Sequence, residues 1–542
     1  MPPAESFELV LVLIAVVIPL ELIARRLRFP PSAALTLGGV ALALLPGMPE
    51  ISVDPDLMLV LFLPPLLFSS AYFTVWRDFR ANLRVILQLA VGAVAFTTLI
   101  VGVVARLLVP DLPWAACFAL GAVVSPPDAV AAKAALAGLP LPARLVTLLE
   151  GESLINDAAG LVLYRLAVTA GLTGVFSLAG GAGEFVLLAA GGVAVGLAAG
   201  FLVSSALARL KDAHLVIAAS FLVAWASYIL GERLHVSGVL STVVCGLVLG
   251  QRQHSLFSAV TRVQATAVWA VAVFIMESLI FILIGLSLRG VLHRLSESGF
   301  EMSRFAPAIG AILLAMTAAR FVWILTTAYV ARFLFPKLRA SDPYPPLAVP
   351  IVMSWAGMRG VVSLAVALAV PEEFPGRDFI MAATMAAIFA SILIQGTTLR
   401  PLIKAMPLGA FELAQAQTLS LAQARARMIR AEERAIAGLS RQPDGGERHP
   451  RLSEQYGRRA EIAQRYAESN GEFDAARREH YDAILAANRA GRAELLRLHR
   501  AGEVHDAVVQ ALESELDLEE IGARRVADYS EGAAHGANPG HA

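Results

Sequence analysis

Glu152, Ser153, Asn156 and Asp157 stand in LLEGESLINDAAGLVLYRLA, residues 148–167, a stretch otherwise apolar enough to cross a membrane. A charge near the bilayer centre costs a few kcal/mol on insertion scales and about 10 or more in some simulations. A helix carries such a charge only where it has partners or work to do. If the helix begins near Pro142, Glu152 lies ten residues in, roughly 15 Å deep, about the midplane of the hydrocarbon core. At 100° per residue the four polar side chains share roughly a 140° arc. Gly160 falls on that arc and is expected to leave space beside the carboxylates. Hydrogen bonding between helices would account for Ser153 or Asn156 alone. It does not account for two acids.

A second polar stretch is GAVVSPPDAVAA, residues 121–132. Pro126 and Pro127 remove two amide donors and disfavour α geometry in the residues before them. A break around Ser125 is predicted, with the Val123 and Val124 carbonyls, the Ser125 hydroxyl and the Asp128 carboxylate facing a polar cavity. A third stretch, SWAGMRGVVSL at 354–364, sets Gly357 and Gly360 about Arg359 and predicts another interrupted span. Glu277 and Arg320 also lie in the middle of apolar blocks.

Asp128, Glu152, Asp157 and Glu277 then face only Arg320 and Arg359 as fixed bases. Lys133 and Arg165 are close enough to block ends to snorkel. Carboxylates are left over. Such a group takes up a proton, or stays ionised when a cation arrives. Competition of H⁺ with a small cation for one acid is the minimal chemistry of an antiporter. Oxygen donors suit an alkali ion better than a soft metal.

The elements that must position these groups are thirteen apolar blocks, roughly 7–28, 31–46, 56–75, 83–109, 114–138, 142–171, 184–209, 213–231, 236–250, 263–289, 304–334, 346–371 and 378–402. Most are long enough for a helix to span the core. Basic residues recur at every second connection: Arg25, Arg26 and Arg28; Arg77, Arg80 and Arg84; Arg144; Arg209 and Lys211; Arg252 and Arg262; Lys337 and Arg339. Only the connection with Arg289, Arg294 and Arg304 goes against the trend. The positive-inside rule puts the N-terminus outside and the C-terminus in the cytoplasm, as an odd span count also requires. Spans 1–6 and 8–13 would form two inverted repeats about span seven, with the two broken spans in corresponding places. Paired broken helices of this kind point to a midplane binding site in secondary transporters.

The chain is 57% hydrophobic, which no soluble fold could bury, and its 44 basic residues balance 44 acidic ones in short loops, so no nucleic-acid face is expected. Cys117 and Cys245 lie inside apolar blocks and read as packing residues. The N-terminus lacks basic flanking residues and a small-residue cleavage site, and reads as a retained first span. The fold expected is an all-α polytopic domain over 1–404 and a helical cytoplasmic tail over 405–542. That tail holds charged helices such as RAELLRLHRAGEVHDAVVQALESELDLEEI, and SEGAAHGANPGHA at its end reads as disordered. It could regulate or stabilise a dimer, and no partner for it is readable.

GESLINDA, SPPDAVAA, the mid-span arginine of AARF and the GMRG segment together resemble the electroneutral sodium/proton exchangers of the monovalent cation:proton antiporter superfamily, in its bacterial branch, over roughly 7–404. The resemblance implies a homodimer in the bacterial inner membrane. Its protomers would have thirteen spans, a dimerisation domain and a six-helix core that moves elevator-like. Carried over by position, Asp157 is the ion- and proton-binding acid and Asn156 its amide neighbour. Ser153 and Ser125 become oxygen ligands, so that Asp157, Ser153 and Ser125 form the Na⁺ set. Glu152 and Arg320 pair structurally. Asn156 also leaves one carboxylate where electrogenic relatives carry two aspartates, which implies one-for-one exchange. Ser125 stands where many relatives have threonine, and Pro127-Asp128 departs from the common Asp-Pro order. Arg359 either contacts the site or braces the broken helix.

No cofactor is expected beyond the transported Na⁺ and H⁺. Na⁺, Li⁺ and K⁺ are not separated by these side chains, so a K⁺-selective proton antiporter is the nearest alternative. A cation channel needs a continuous pore, which two broken spans and buried acid–base groups do not favour. An intramembrane hydrolase needs a base near Ser153, but His214, His235, His254 and His293 all lie near block ends and HExxH is absent. An anion carrier would need a net basic site.

Overall fold

The computed structural model describes residues 3–27, 29–45, 55–136, 141–174, 178–298, 301–406, 421–441, 447–468, 474–501 and 503–535. In chain order the helices are α1 (Pro3–Leu27), α2 (Pro31–Ala43), α3 (Pro55–Phe73), α4 (Trp76–Leu108), α5 (Trp114–Val124), α6 (Ala129–Leu136) and α7 (Ala143–Thr173). Next come α8 (Leu178–Leu207), α9 (Ala213–Arg233), α10 (Gly238–Leu256), α11 (Ala259–Glu297) and α12 (Ser303–Leu334). Then follow α13 (Pro336–Ser341), α14 (Ala348–Trp355), α15 (Val361–Leu368) and α16 (Arg377–Ala405). The last four are α17 (Leu421–Ser440), α18 (Pro450–Glu468), α19 (Asp474–Arg500) and α20 (Asp506–His535). Among the described residues the protein is all-helical, apart from an isolated bridge between Arg441 and Glu447.

Two compact units emerge, Met1–Ala137 with Ala143–Leu408, and Gly138–Pro142 with Gly409–Ala542. In the first, six helices are long and apolar enough to cross a membrane by length and composition: α4, the Gly183–Leu207 part of α8, α9, α11, α12 and α16. Shorter apolar helices, among them α2 and α5, accompany them. With no hydrophobic drive between helices in lipid, close backbone approach must hold such a bundle together. It does so where α2 crosses α11: a Cβ on Gly39 would strike the Ile282 carbonyl and the Gly285 backbone, so only glycine fits. Aromatic stacking serves elsewhere. Trp269 lies between Phe68 and Phe221, ring centroids 5.6 and 4.0 Å away, and donates its indole N–H to Ser220 at 3.0 Å.

Both breaks foreseen in the sequence are present. Residues 125–128 separate α5 from α6, and 356–360 separate α14 from α15. Three spans also carry a π-helical turn: Gln88–Ala93 in α4, Thr326–Val330 in α12 and Ser391–Gln395 in α16. Such turns re-aim side chains and concentrate at working sites. The one at Ser391 directs a hydroxyl to the second break.

The second unit holds two helix pairs. Ala426 and Ile429 of α17 pack on Ala460 and Ala463 of α18. In the other pair, Asn488 donates to the Leu516 carbonyl at 2.8 Å, and Arg492 reaches Asp517 at 2.7 Å and Glu520 at 3.0 Å. The hydrogen bond from Arg524 holds the half-buried Glu520 carboxyl below its ordinary range. Two expectations need correction. The run RAELLRLHRAGEVHDAVV is divided between α19 and α20, and α20 continues to His535, into the stretch expected to be disordered. The remainder of that stretch, 536–542, lies outside the described residues.

Candidate functional site

The two breaks meet, and the Asp128 amide donates to the Met358 carbonyl at 2.7 Å, joining one to the other. Each break leaves one half-helix ending in orphan carbonyls and another starting with orphan N–H groups, which carry partial charges of opposite sign. The C-terminal ends are met by arginines. Arg359, 1% exposed, donates from Nε to the Val124 carbonyl at the end of α5 at 2.5 Å, and from its guanidinium to the Gly357 carbonyl. Arg320 donates to the Met353 carbonyl in the last turn of α14 at 3.1 and 3.3 Å. An acid stands at the N-terminal end of α6. Asp128 accepts from the Val130 amide of α6 at 2.8 Å, and its other oxygen lies against Gly360, the residue just before α15. Any Cβ at Gly360 would collide with that carboxylate.

Arg359 therefore braces both breaks. Its amide is also held by the Ser391 hydroxyl at 2.9 Å. The freed carbonyls do not face an open cavity as the sequence suggested: Val124 is taken by Arg359, and Val123 accepts from Ser363 at 2.8 Å. Ser125 hydrogen-bonds to Thr98 of α4 at 2.9 Å. The space at Gly160 is also filled, because Pro126 packs where its Cβ would be. A glycine there lets the first break lie directly on α7.

Glu152 and Arg320 form a two-pronged ion pair at 2.6 and 2.9 Å, with both residues almost wholly buried. One turn on, Asn156 is 0% exposed and donates from Nδ2 to the Pro127 carbonyl at 2.5 Å. Its Oδ1 is buried without a partner among the described residues. Asp157, 8% exposed, has no hydrogen bond or ion pair among the described residues, and Asp128 is the charged group that bears on it. Ser153 is half-buried on the same helix and is engaged in an interaction of its own. Glu277 sits half-buried on α11, with Lys133 and Asp128 as charged neighbours. Lys133 pairs with Glu150 at 3.3 Å, and Arg165 with Glu232 at 3.6 Å.

Thr98, Ser363, Ser391 and the carbonyls of Pro127, Met353 and Met358 went unnoticed in the sequence. The hydroxyls sit in apolar runs that look like ordinary span interiors, and carbonyls have no sequence signal.

A helical membrane unit whose two interrupted segments cross beside a buried acid, unpaired among the described residues, has the architecture of a secondary transporter. The chain belongs to the sodium/hydrogen exchanger family and exchanges cations for protons. The family model described as the transmembrane sodium/hydrogen exchanger matches residues 12–405. An uncharacterized Na⁺/H⁺ exchanger of Mycobacterium bovis is 32% identical over 94% of this chain and 95% of its own length. A sodium, potassium, lithium and rubidium/H⁺ antiporter of Bacillus pumilus is also 32% identical, over 74% of this chain and 61% of its own. Among solved structures, the sodium proton antiporter MjNhaP1 of Methanocaldococcus jannaschii shares the fold, with a TM-score of 0.58 at 17% identity, covering 74% of this chain and 99% of that one.

Proposed function

We propose that Asp157 is the one group for which Na⁺ and H⁺ compete, and that each passage of the site across the membrane carries one or the other. The observation that carries this reading is a division of labour along one helix. Glu152 is neutralised by Arg320, whereas among the described residues Asp157 a turn away is unpaired and the Oδ1 of its neighbour Asn156 has no partner. A carboxylate and an amide oxygen are the hard donors an alkali ion takes, and Ser153 on the same face is the next candidate ligand. Ser125 is a weaker one, since its hydroxyl is shared with Thr98. Asp128 and Arg359 hold the half-helix ends and leave the exchanging charge to Asp157. Na⁺ is the cation we assign. The breadth of the B. pumilus antiporter's name keeps Li⁺ and K⁺ as alternatives.

The same reading takes the first unit as thirteen spans in inverted repeats, counting each broken pair once. It places the N-terminus outside, the second unit in the cytoplasm and the protein as a homodimer in the bacterial inner membrane. The alternation of basic connections supports the orientation. The test is acid-loaded inside-out vesicles carrying a pH dye, to which each chloride salt is added in turn. Asp157→Asn should reduce cation-driven proton release to background while the protein still elutes as a folded species. Wild-type exchange by that variant would refute the assignment.

A further inference from the structure

We propose that the rim where α4 begins and α12 ends binds the headgroups of anionic phospholipids. The two helix ends lie at one level. Trp323 of α12 donates to the Gln88 carbonyl of α4 at 3.0 Å, and its ring packs on Phe96 with centroids 5.3 Å apart. From that contact Leu334 is eleven residues onward (334 − 323) and Arg77 eleven residues back (88 − 77). Along antiparallel helices both steps run about 16 Å in the same direction, the depth at which a span leaves hydrocarbon for headgroups.

Arg77, Arg80 and Arg84 follow one another at the spacing of a single helix face and are exposed. Lys337 and Arg339 on α13 are exposed as well. Among the described residues none of the five has a carboxylate partner. The acids nearby are Asp78, in the first turn of α4, and Asp342, which is already held by Arg144 at 2.9 Å and Arg332 at 2.5 Å. Arg144 reaches Asn82 on α4 at 2.9 Å, so it ties the stretch between Arg80 and Arg84 to the end of α13. The two basic groups are thus fixed side by side. Beside them are outward-facing apolar side chains, Phe333 at 75%, Phe335 at 61% and Leu347 at 62% exposure. Acyl chains would cover these while the guanidinium and ammonium groups meet phosphate.

Basic residues at the ends of spans are general, so the claim requires this rim to differ from the others. Its five unpaired cations fall within the four to eight that mark anionic-lipid sites, and they are braced by the Asn82–Arg144–Asp342–Arg332 chain. The full-length protein in neutral detergent should be titrated with phosphatidylglycerol or phosphatidylcholine, and its thermal unfolding followed. Phosphatidylglycerol should raise the Tm saturably, and phosphatidylcholine should not. Combining Arg80→Gln, Arg84→Gln, Lys337→Gln and Arg339→Gln should raise the half-saturating phosphatidylglycerol at least about fivefold. Arg209→Gln with Lys211→Gln, at another basic connection, should leave it unchanged. If the fourfold variant does not fold, the α4 pair and the α13 pair are measured separately, each with a smaller rise expected.

An unaltered titration in the rim variants would overturn the proposal. So would an equal loss in the Arg209 and Lys211 control, or the same shift from inorganic phosphate alone. Cation-driven proton release in phosphatidylcholine liposomes, measured alongside, should survive in the rim variants. That keeps this test separate from the assignment of Asp157.

Discussion

Glu152 and Asp157 are both carboxylates buried on one helix, and their neighbours differ. Arg320 forks onto both oxygens of Glu152 and also holds the end of α14 through the Met353 carbonyl. Removing one member of a buried pair strands the other at a cost of about 3–5 kcal/mol. Arg320→Ala should therefore lower folded yield and thermal stability by that order, more than it lowers transport per folded molecule. Quantitative size-exclusion chromatography with flux normalised to folded protein measures the split. Normal yield with weakened cation affinity would move Arg320 into the transport site.

The broken helices are held at their ends by three side chains. Arg359 and Arg320 meet the carbonyl ends, and Asp128 meets the amide end of α6 while lying against Gly360, just before α15. That economy depends on close approach at Gly360. Gly360→Ala should push the Asp128 carboxylate aside and cost about 1–3 kcal/mol, whereas Gly290→Ala and Gly310→Ala have open space and serve as controls. Differential scanning fluorimetry of the three variants would show the contrast. Equal melting temperatures would mean that Asp128 can move without loss.

For the whole molecule, the proposed single exchanging carboxylate has an electrical consequence. If Asp157 carries either one cation or one proton, each passage in either direction moves one positive charge and a full cycle moves none. A membrane potential is worth about 2.3 kcal/mol per charge per 100 mV, yet it should leave the equilibrium pH gradient unchanged. Sodium-loaded liposomes clamped with K⁺ and valinomycin should reach the same gradient at every potential. A voltage-dependent gradient, or sustained sodium-driven current on a solid-supported membrane, would require a second mobile proton.

Much of this was legible without coordinates, because hydrocarbon makes polar groups expensive and so makes them conspicuous. The prolines at 126 and 127 and the glycines at 357 and 360 located both breaks, and the charges inside apolar blocks marked the candidate site residues. The sequence alone could not say which oxygen each charge holds. Arg359 could have touched the site or braced the breaks, and its bond to Val124 is made across 235 residues. Gly160 reads in the sequence as space beside the carboxylates, and Pro126 fills it. The hydroxyl partner of Ser125, Thr98, has no signal in the sequence. Composition and spacing determine what must be buried and where a helix must stop. The choice of partner for each buried group depends on distances between segments remote in the chain, and only the packed structure sets those.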